Sequence, residues 1–285
     1  MPQLINKPPK RFFAFGCSFT NYNWSTWADI VAEELKVPYY NYGRGGAGNQ
    51  YIFNTIMQAD ALYNFNEDDL VMICWTNIAR EDRYTKGGWI TPGNIFTQSQ
   101  YDADFIKKWV EPTGCAIRDF AFIKSITDFL ELKNIPHHQM KMMDFDIIDQ
   151  WVPTSKLENE QWISNLLVDM YQPVLNKIHE SFYKVLWNND VNFKLDTDRK
   201  LIGNLFCDGH PFPYEALTYL QHLFNHQFAN ETISAVLATN TAVVQLLKST
   251  YISYGPKKRF YFPQDTECQL CKVATSYIQS KGGCT

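Results

Sequence analysis

The stretch RFFAFGCSFT, residues 11–20, decides the fold class and supplies the first candidate for chemistry. Its first half, Arg11–Phe15, is an apolar run that predicts the opening strand of an α/β domain. Ser18 lies just beyond this run, with a glycine and a threonine close on either side. It is therefore a candidate nucleophile, and acyl transfer would also require a base and donors for an oxyanion.

Strand and helix patterns alternate over the first 77 residues. Apolar residues recur at helical spacing over 25–36, and Pro38 ends that helix. Tyr39–Tyr42 predicts a second short strand, which runs into a glycine-rich turn, and another helix begins at Asn49. Leu70–Trp75 is a continuous apolar run, which suits a central strand covered on both faces. This alternation predicts a parallel sheet wound with helices.

The rest of the chain continues this pattern around one polar interruption. Residues 80–114 are polar and rich in Gly, Pro, Thr and aromatic side chains, which predicts an irregular insertion beside the site. Further segments predict a fourth strand at 138–143 and mostly helical structure at 117–132, 159–186, 213–228 and 231–247. We predict one domain at 1–248, with the insertion at about 80–114, and a C-terminal extension at 249–285.

Composition excludes several classes of partner. The chain has 285 residues and a net charge of −4, so no general attraction to nucleic acid or to an anionic membrane is expected. The apolar stretches are too short to span a bilayer, and residues 12–15 are too short for a secretory signal. We therefore expect a cytoplasmic protein whose partners include neither nucleic acid nor a membrane.

The seven cysteines predict no disulfide framework in that compartment. Three of them, Cys268, Cys271 and Cys284, lie in the C-terminal tail and could contribute to a zinc site or a redox pair. Zinc would need a fourth ligand, and the tail contains no histidine, so an incidental pair of thiols is favoured. We expect no metal and no organic cofactor.

Five residues form the candidate site. Ser18, Gly46 and Asn77 follow the first three predicted strands, and ligands of doubly wound sheets bind where loops leave the carboxyl ends of the strands. The N–H groups of Ser18 and Gly46 and the side-chain amide of Asn77 can bind an oxyanion. His210 can act as the base, and Asp208 is close enough in sequence to orient its ring.

Each of these residues also has a simpler interpretation. Ser18 can be an ordinary turn residue, and His210 can be an ordinary surface or core residue. Asn77 can cap the next turn, and the glycines can serve only a tight turn. Asp208 can equally cap the helix that begins near Pro213, since carboxylates favour helix N-termini. The Arg80–Arg83 run is either a lip facing the substrate or a local cluster of ion pairs.

The glycine loop has a second possible use. Residues 43–48 spell Gly-x-Gly-x-x-Gly between a strand and a helix, which is the pattern of a dinucleotide site. Such a site should show an acidic residue at the end of the next strand, whereas Leu70–Trp75 is followed by Thr76 and Asn77. The dinucleotide interpretation is therefore disfavoured, and a P-loop is excluded because no Lys-Ser/Thr follows the glycines.

Taken together, these segments resemble the conserved blocks of the SGNH (GDSL-like) hydrolase superfamily. The matching segments are GCSFT at 16–20, NYGRGG at 41–46, WTNI at 75–78 and DGHP at 208–211. The family's block-three glycine is replaced by Trp75, and its Asp-x-x-His spacing is shortened to Asp-Gly-His. The pattern looks most like SGNH proteins encoded by tailed bacteriophages, which would make a virion-associated location the alternative to the cytoplasm.

The resemblance implies a flavodoxin-like three-layer α/β/α sandwich with a parallel sheet. It implies Ser18 as nucleophile, Gly46 and Asn77 as oxyanion donors, His210 as base and Asp208 as its partner. The expected activity is hydrolysis of a small ester, with an O-acetyl group on a carbohydrate as the expected substrate. The alternative is a catalytically weakened module that makes virion, host or homo-oligomer contacts.

Overall fold

The structure, a computed structural model, describes residues 2–96, 100–145, 165–188 and 210–254. Asp208, Cys268, Cys271 and Cys284 lie outside the described residues, so the predictions made for them stay predictions. Cys17, Cys74 and Cys115 are buried free thiols. Within the described ranges, no helix combines the length and the apolar character needed to cross a membrane.

Strands and helices alternate along the chain as the sequence indicates. The strands are β1 (Arg11–Gly16), β2 (Tyr39–Gly43), β3 (Asp69–Trp75), β4 (Arg83–Thr85), β5 (Gly88–Ile90) and β6 (His137–Lys141). The α-helices are α1 (Trp27–Leu35), α2 (Asn49–Tyr63), α3 (Ala103–Trp109), α4 (Pro112–Leu132), α5 (Asn165–Leu175), α6 (Pro213–Leu223) and α7 (Asn230–Tyr254). A π-helical turn covers Lys184–Asn188.

The main sheet has the strand order β2-β1-β3-β6, and every pairing within it is parallel. All seven residues of β3 are buried, as expected of a strand covered on both faces. Helices α2, α4 and α5 pack together in one layer, whereas α1, α6 and α7 pack together in another. The fold is a flavodoxin-like three-layer α/β/α sandwich, so the predicted fold class is confirmed.

The prediction of an irregular insertion at 80–114 was wrong in part. Strands β4 and β5 pair as an antiparallel hairpin, and α3 follows them. Helix α4 begins at Pro112 rather than near residue 117, because the Glu111 side chain accepts a hydrogen bond from the Gly114 N–H. A capping carboxylate followed by proline at the first helical position is a helix-start signal that the sequence contained.

A single tight turn after β1 sets the position of Ser18. The N–H groups of Thr20 and Asn21 both donate to the Cys17 carbonyl, at 2.9 and 3.2 Å. The turn brings Thr20 back over Gly16, so a Cβ added at Gly16 would lie 2.0 Å from the Thr20 hydroxyl oxygen. The spacing of glycine and threonine around Ser18 thus has a steric cause.

The substitution Gly16→Ala should destabilise the protein. The new methyl group would force Thr20 and the turn apart, and such overpacking typically costs about 1–3 kcal/mol. Gly45→Ala is the matched control, because a Cβ at Gly45 meets no atom within 4 Å. Urea unfolding of both variants measures the difference, and equal stabilities would contradict the steric account.

Candidate active site

The structure brings Ser18 and His210 together although 192 residues separate them in sequence. The His210 Nε2 atom lies 2.8 Å from the Ser18 Oγ atom. Both side chains are half-buried, so the pair remains accessible from solvent. This is the separation at which an imidazole can take a proton from a hydroxyl group.

Aromatic side chains from the loop after β1 hold the His210 ring. Tyr22 stacks on it with ring centroids 3.7 Å apart and an interplanar angle of 14°. Phe19 contacts it in a tilted arrangement at 5.5 Å. The Trp24 Nε1–H donates to the Pro211 carbonyl at 2.7 Å, so the backbone next to His210 is tied to the same loop.

A small second hydrophobic core packs next to the contact between the β1 loop and His210. It consists of buried side chains from three parts of the chain: Trp24, Phe212, Val243 and Val244. The start of α6 is fixed by the Glu215 carboxylate, which accepts the Phe212 N–H at 2.8 Å, and by Pro213 in the first turn. The backbone between His210 and α6 is therefore held in place at Phe212.

Gly46 lies in the loop after β2 in a conformation that favours glycine. Its φ is +72°, and a Cβ there would lie 2.2 Å from the Thr91 carbonyl oxygen. The Thr91 hydroxyl donates to the Gly45 carbonyl at 2.9 Å. The segment after β5 therefore packs directly on the glycine loop. In turn, the Arg44 N–H donates to the Gly16 carbonyl at 3.1 Å, which ties the loop to the end of β1.

Asn77 follows β3 and is almost fully buried. Its Oδ1 accepts the Ala79 N–H at 2.6 Å, so the side chain does cap the following turn. Its Nδ2 contacts the Met143 Sδ atom at 2.8 Å, and this contact uses one of the two amide hydrogens. The capping role, which uses Oδ1, is therefore present. The second hydrogen on Nδ2 has no partner among the described residues, so it can be donated to a ligand.

The three groups expected to bind an oxyanion lie at one edge of the sheet. Gly16 is in register with Gly43, and Phe15 with Ile73, so the loops after β1, β2 and β3 leave from the same level. Within the described ranges, neither Ser18 nor Gly46 donates its N–H to a backbone carbonyl. Backbone donors free to meet a ligand are what an oxyanion site needs.

Sequence reasoning missed the side chains that hold these loops. The Asp82 carboxylate accepts the Gly48 N–H at 2.9 and 3.0 Å and the Tyr51 N–H at 2.9 Å, so it caps α2. Glu81 is also buried and pairs with Arg118 and Arg83. The two acids of the 80–83 run therefore form an inward cluster of ion pairs and hydrogen bonds rather than a lip.

A second buried network lies beneath Asn77. The Asn49 Oδ1 accepts the Thr76 N–H at 2.8 Å, and its Nδ2 donates to the Thr76 carbonyl at 3.0 Å and to the Asp119 Oδ2 at 2.8 Å. The Arg118 Nε–H donates to the other oxygen of Asp119 at 2.7 Å. Burial raises the pKa of Asp119 to about 6, against the opposing effect of Arg118.

In the part of the chain that the structure describes, no group of three or more His, Cys, Asp and Glu side chains is placed to hold a metal ion.

No protein-family model matches the chain, and no curated protein matches it. The solved structures that it resembles include a member of the lipolytic protein G-D-S-L family from Veillonella parvula, at 15% identity and a TM-score of 0.36, covering 74% of this chain and 96% of that one. A GDSL-like lipase from Bacteroides thetaiotaomicron is 12% identical, with a TM-score of 0.36 and coverage of 88% and 93%. AlinE4, an SGNH-hydrolase family esterase, is 14% identical, with a TM-score of 0.34 and coverage of 85% and 99%. Likenesses this distant assign neither a family nor an activity to the chain.

The raised pKa of Asp119 predicts a specific dependence of stability on pH. Between the ordinary value of 3.8 and about 6, the folded protein holds more of this proton than the unfolded chain does. Asp119 therefore lowers the free energy of unfolding as the pH rises through this interval. The Asp119→Asn variant lacks the titration, so the stability of the wild type minus that of the variant should decrease from about pH 4 to about pH 6. Urea unfolding at several pH values tests this, and a difference independent of pH would contradict it.

Proposed function

We propose that the protein is a serine ester hydrolase of the SGNH type. The observation that carries this proposal is the 2.8 Å contact between the Ser18 Oγ and the His210 Nε2. It is supported by the placement of Gly46 after β2 and of Asn77 after β3, the two strands that flank β1 in the sheet. A nucleophile, a base and oxyanion donors at one edge of a parallel sheet are the groups that acyl transfer requires.

The reaction proceeds through an acyl-enzyme. As the Ser18 oxygen attacks the ester carbonyl carbon, the His210 Nε2 takes the hydroxyl proton. The N–H groups of Ser18 and Gly46 and the amide of Asn77 stabilise the negative charge that develops on the carbonyl oxygen. His210 then gives the proton to the departing alcohol. A water molecule, deprotonated by His210, then attacks the acyl carbon, and His210 returns this proton to the departing Ser18 oxygen, which releases the acid and regenerates the enzyme.

The orientation of the His210 ring is the second requirement of this mechanism. Stacking on Tyr22 and contact with Phe19 restrict the plane of the ring. We propose from the family resemblance that Asp208 accepts the Nδ1–H and so selects the tautomer whose Nε2 carries no proton and can accept one from Ser18. Asp208→Asn should then slow turnover more than it changes binding.

The proposed substrate is a small ester, with an O-acetyl group on a carbohydrate as the preferred case. On the β4–β5 hairpin, next to the glycine loop, the Tyr84 and Trp89 rings contact each other, and the Tyr84 side chain is largely exposed. An exposed aromatic ring offers a large apolar contact surface, which suits the C–H groups of a sugar ring. A cytoplasmic location, an origin in a tailed bacteriophage and virion contacts stay predictions.

Removing the Ser18 hydroxyl should abolish activity. Purified protein is expected to hydrolyse p-nitrophenyl acetate and to be labelled by a fluorophosphonate at Ser18, and Ser18→Ala should do neither. Ser25→Ala, in the same loop, is the control that should retain both properties. If Ser18→Ala kept the wild-type turnover, the proposed mechanism would be wrong. If the native wild type showed neither hydrolysis nor labelling, a catalytically weakened binding module would be favoured instead.

Asn77→Ala should lower kcat for the same ester while changing KM little. The loss of one oxyanion donor typically reduces turnover by about 10²–10³-fold. Asn54→Ala is a suitable control, since among the described residues the Asn54 amide bonds only to the Gln50 carbonyl within α2. Steady-state kinetics measure the effect, and an unchanged kcat in Asn77→Ala would remove Asn77 from the oxyanion site.

A further inference from the structure

We propose that Asp119 is a positioning residue for the oxyanion site, acting through Asn49 on the segment that carries Asn77. Asp119 lies on α4, Asn49 begins α2, and Thr76 immediately follows β3. All three side chains are fully buried, so they do not contact a substrate. This inference rests on the proposed function, because the site that Asp119 positions is the one proposed there.

The first step concerns the Asn49 amide. Its Nδ2 serves two acceptors, the Thr76 carbonyl and the Asp119 Oδ2, while its Oδ1 serves one donor, the Thr76 N–H. If the amide turned over, its oxygen would face two acceptors and its NH2 group would face a donor. In a buried site each lost or mismatched hydrogen bond carries a large penalty. Asn49 is therefore held in one orientation.

The second step is that Asp119 selects this orientation. An ionised carboxylate can only accept hydrogen bonds, so the group facing it from Asn49 must be the NH2 group. Arg118 donates to the other oxygen of Asp119, which keeps the carboxylate in place and compensates its charge. The Arg118 guanidinium also donates to the Arg80 carbonyl at 2.9 Å, so the support extends into the chain after Asn77.

The third step concerns the position of the segment that carries Asn77. Asn49 is the first residue of α2. Its side-chain amide bonds to both backbone groups of Thr76, the residue before Asn77. One buried side chain therefore fixes the start of the loop after β3 against the start of α2. An error of about 1 Å in the position of a catalytic group can cost as much as 10²-fold in rate.

A matched buried carboxylate allows this role to be separated from general stabilisation. Asp69 is also fully buried and also paired with an arginine, with the Arg11 Nε and Nη2 at 2.7 and 2.8 Å from its two oxygens. It lies at the amino end of β3, the end opposite to Asn77. Asp69→Asn should therefore perturb folding as Asp119→Asn does, without disturbing the proposed oxyanion site.

The Asp119→Asn variant keeps the shape of the side chain but places an NH2 group against either Arg118 or Asn49. We expect kcat for p-nitrophenyl acetate to fall by about 10–100-fold with little change in KM, since the defect concerns the transition state. In Asp69→Asn, kcat should stay within about 2-fold of the wild type, because that site is distant. Urea unfolding of both variants at the assay temperature verifies that the folded enzyme is being measured. A kcat in folded Asp119→Asn equal to that of Asp69→Asn would overturn the proposal.

A double variant tests the route through Asn77. If Asp119 acts by positioning the Asn77 amide, Asp119→Asn should slow the Asn77→Ala enzyme by no more than about 2-fold. If Asp119 acted elsewhere, the fold reduction in kcat of the double variant would instead be the product of the two single reductions. Additive losses in activation free energy would therefore contradict the proposed route.

Hydrogen exchange provides a readout that does not depend on ester hydrolysis. The Thr76 N–H should exchange faster in Asp119→Asn than in the wild type, while amides in β1 should be unaffected; in Asp69→Asn the Thr76 N–H should remain protected. If the wild type hydrolysed no ester, the proposed function would fail, and this exchange pattern would still decide whether Asp119 holds Thr76. Unchanged exchange at Thr76 in Asp119→Asn would overturn the positioning role itself.

Discussion

Parallel pairing of β1 with both β2 and β3 is the constraint on which the rest of the structure depends. The pairing puts the carboxyl ends of the three strands at one level, with Gly16 beside Gly43. Each strand is short and ends in a turn that needs glycine or a side-chain cap, so the loops project from the same edge. The candidate nucleophile, the glycine loop and Asn77 are brought together by this geometry, and only the imidazole must arrive from a distant part of the chain.

Aromatic packing holds His210 at that edge. The ring lies on Tyr22, and Trp24 binds the carbonyl of the next residue, so the loop after β1 supplies both the hydroxyl and the surface that receives the imidazole. Below the loops, the buried carboxylates of Asp82 and Asp119 accept backbone and amide hydrogens. Buried charges of this kind are costly unless they are fully hydrogen-bonded, so they favour one arrangement of the loops over all others.

Errors in the sequence-based predictions have identifiable physical causes. The polar, Gly-rich composition of residues 80–114 predicts irregular structure, because strands as short as those of this hairpin leave no clear pattern of alternation. The start of α4 did have a local signal, the Glu111 cap before Pro112. The charged run that contains Asp82 is compatible in sequence with either a lip or a local cluster of ion pairs, and nothing in it indicates that Asp82 caps α2. Asn49 and Asp119 gave no signal, because a buried polar side chain can be recognised only when its partners are known. Those partners come from elements that are far apart in sequence.

Hydrophobic periodicity and turn residues were sufficient to indicate the α/β class, the first three strands and the groups that follow them, because these features depend on local chain geometry. Local geometry also explains why Gly16 and Thr20 flank Ser18 at their spacing. Tertiary structure alone decided that His210 meets Ser18 at 2.8 Å and that Asn49 joins the start of α2 to the segment after β3. Such contacts join residues that are far apart in sequence. No local pattern says which of these side chains will meet, and the contacts form only when the layers pack.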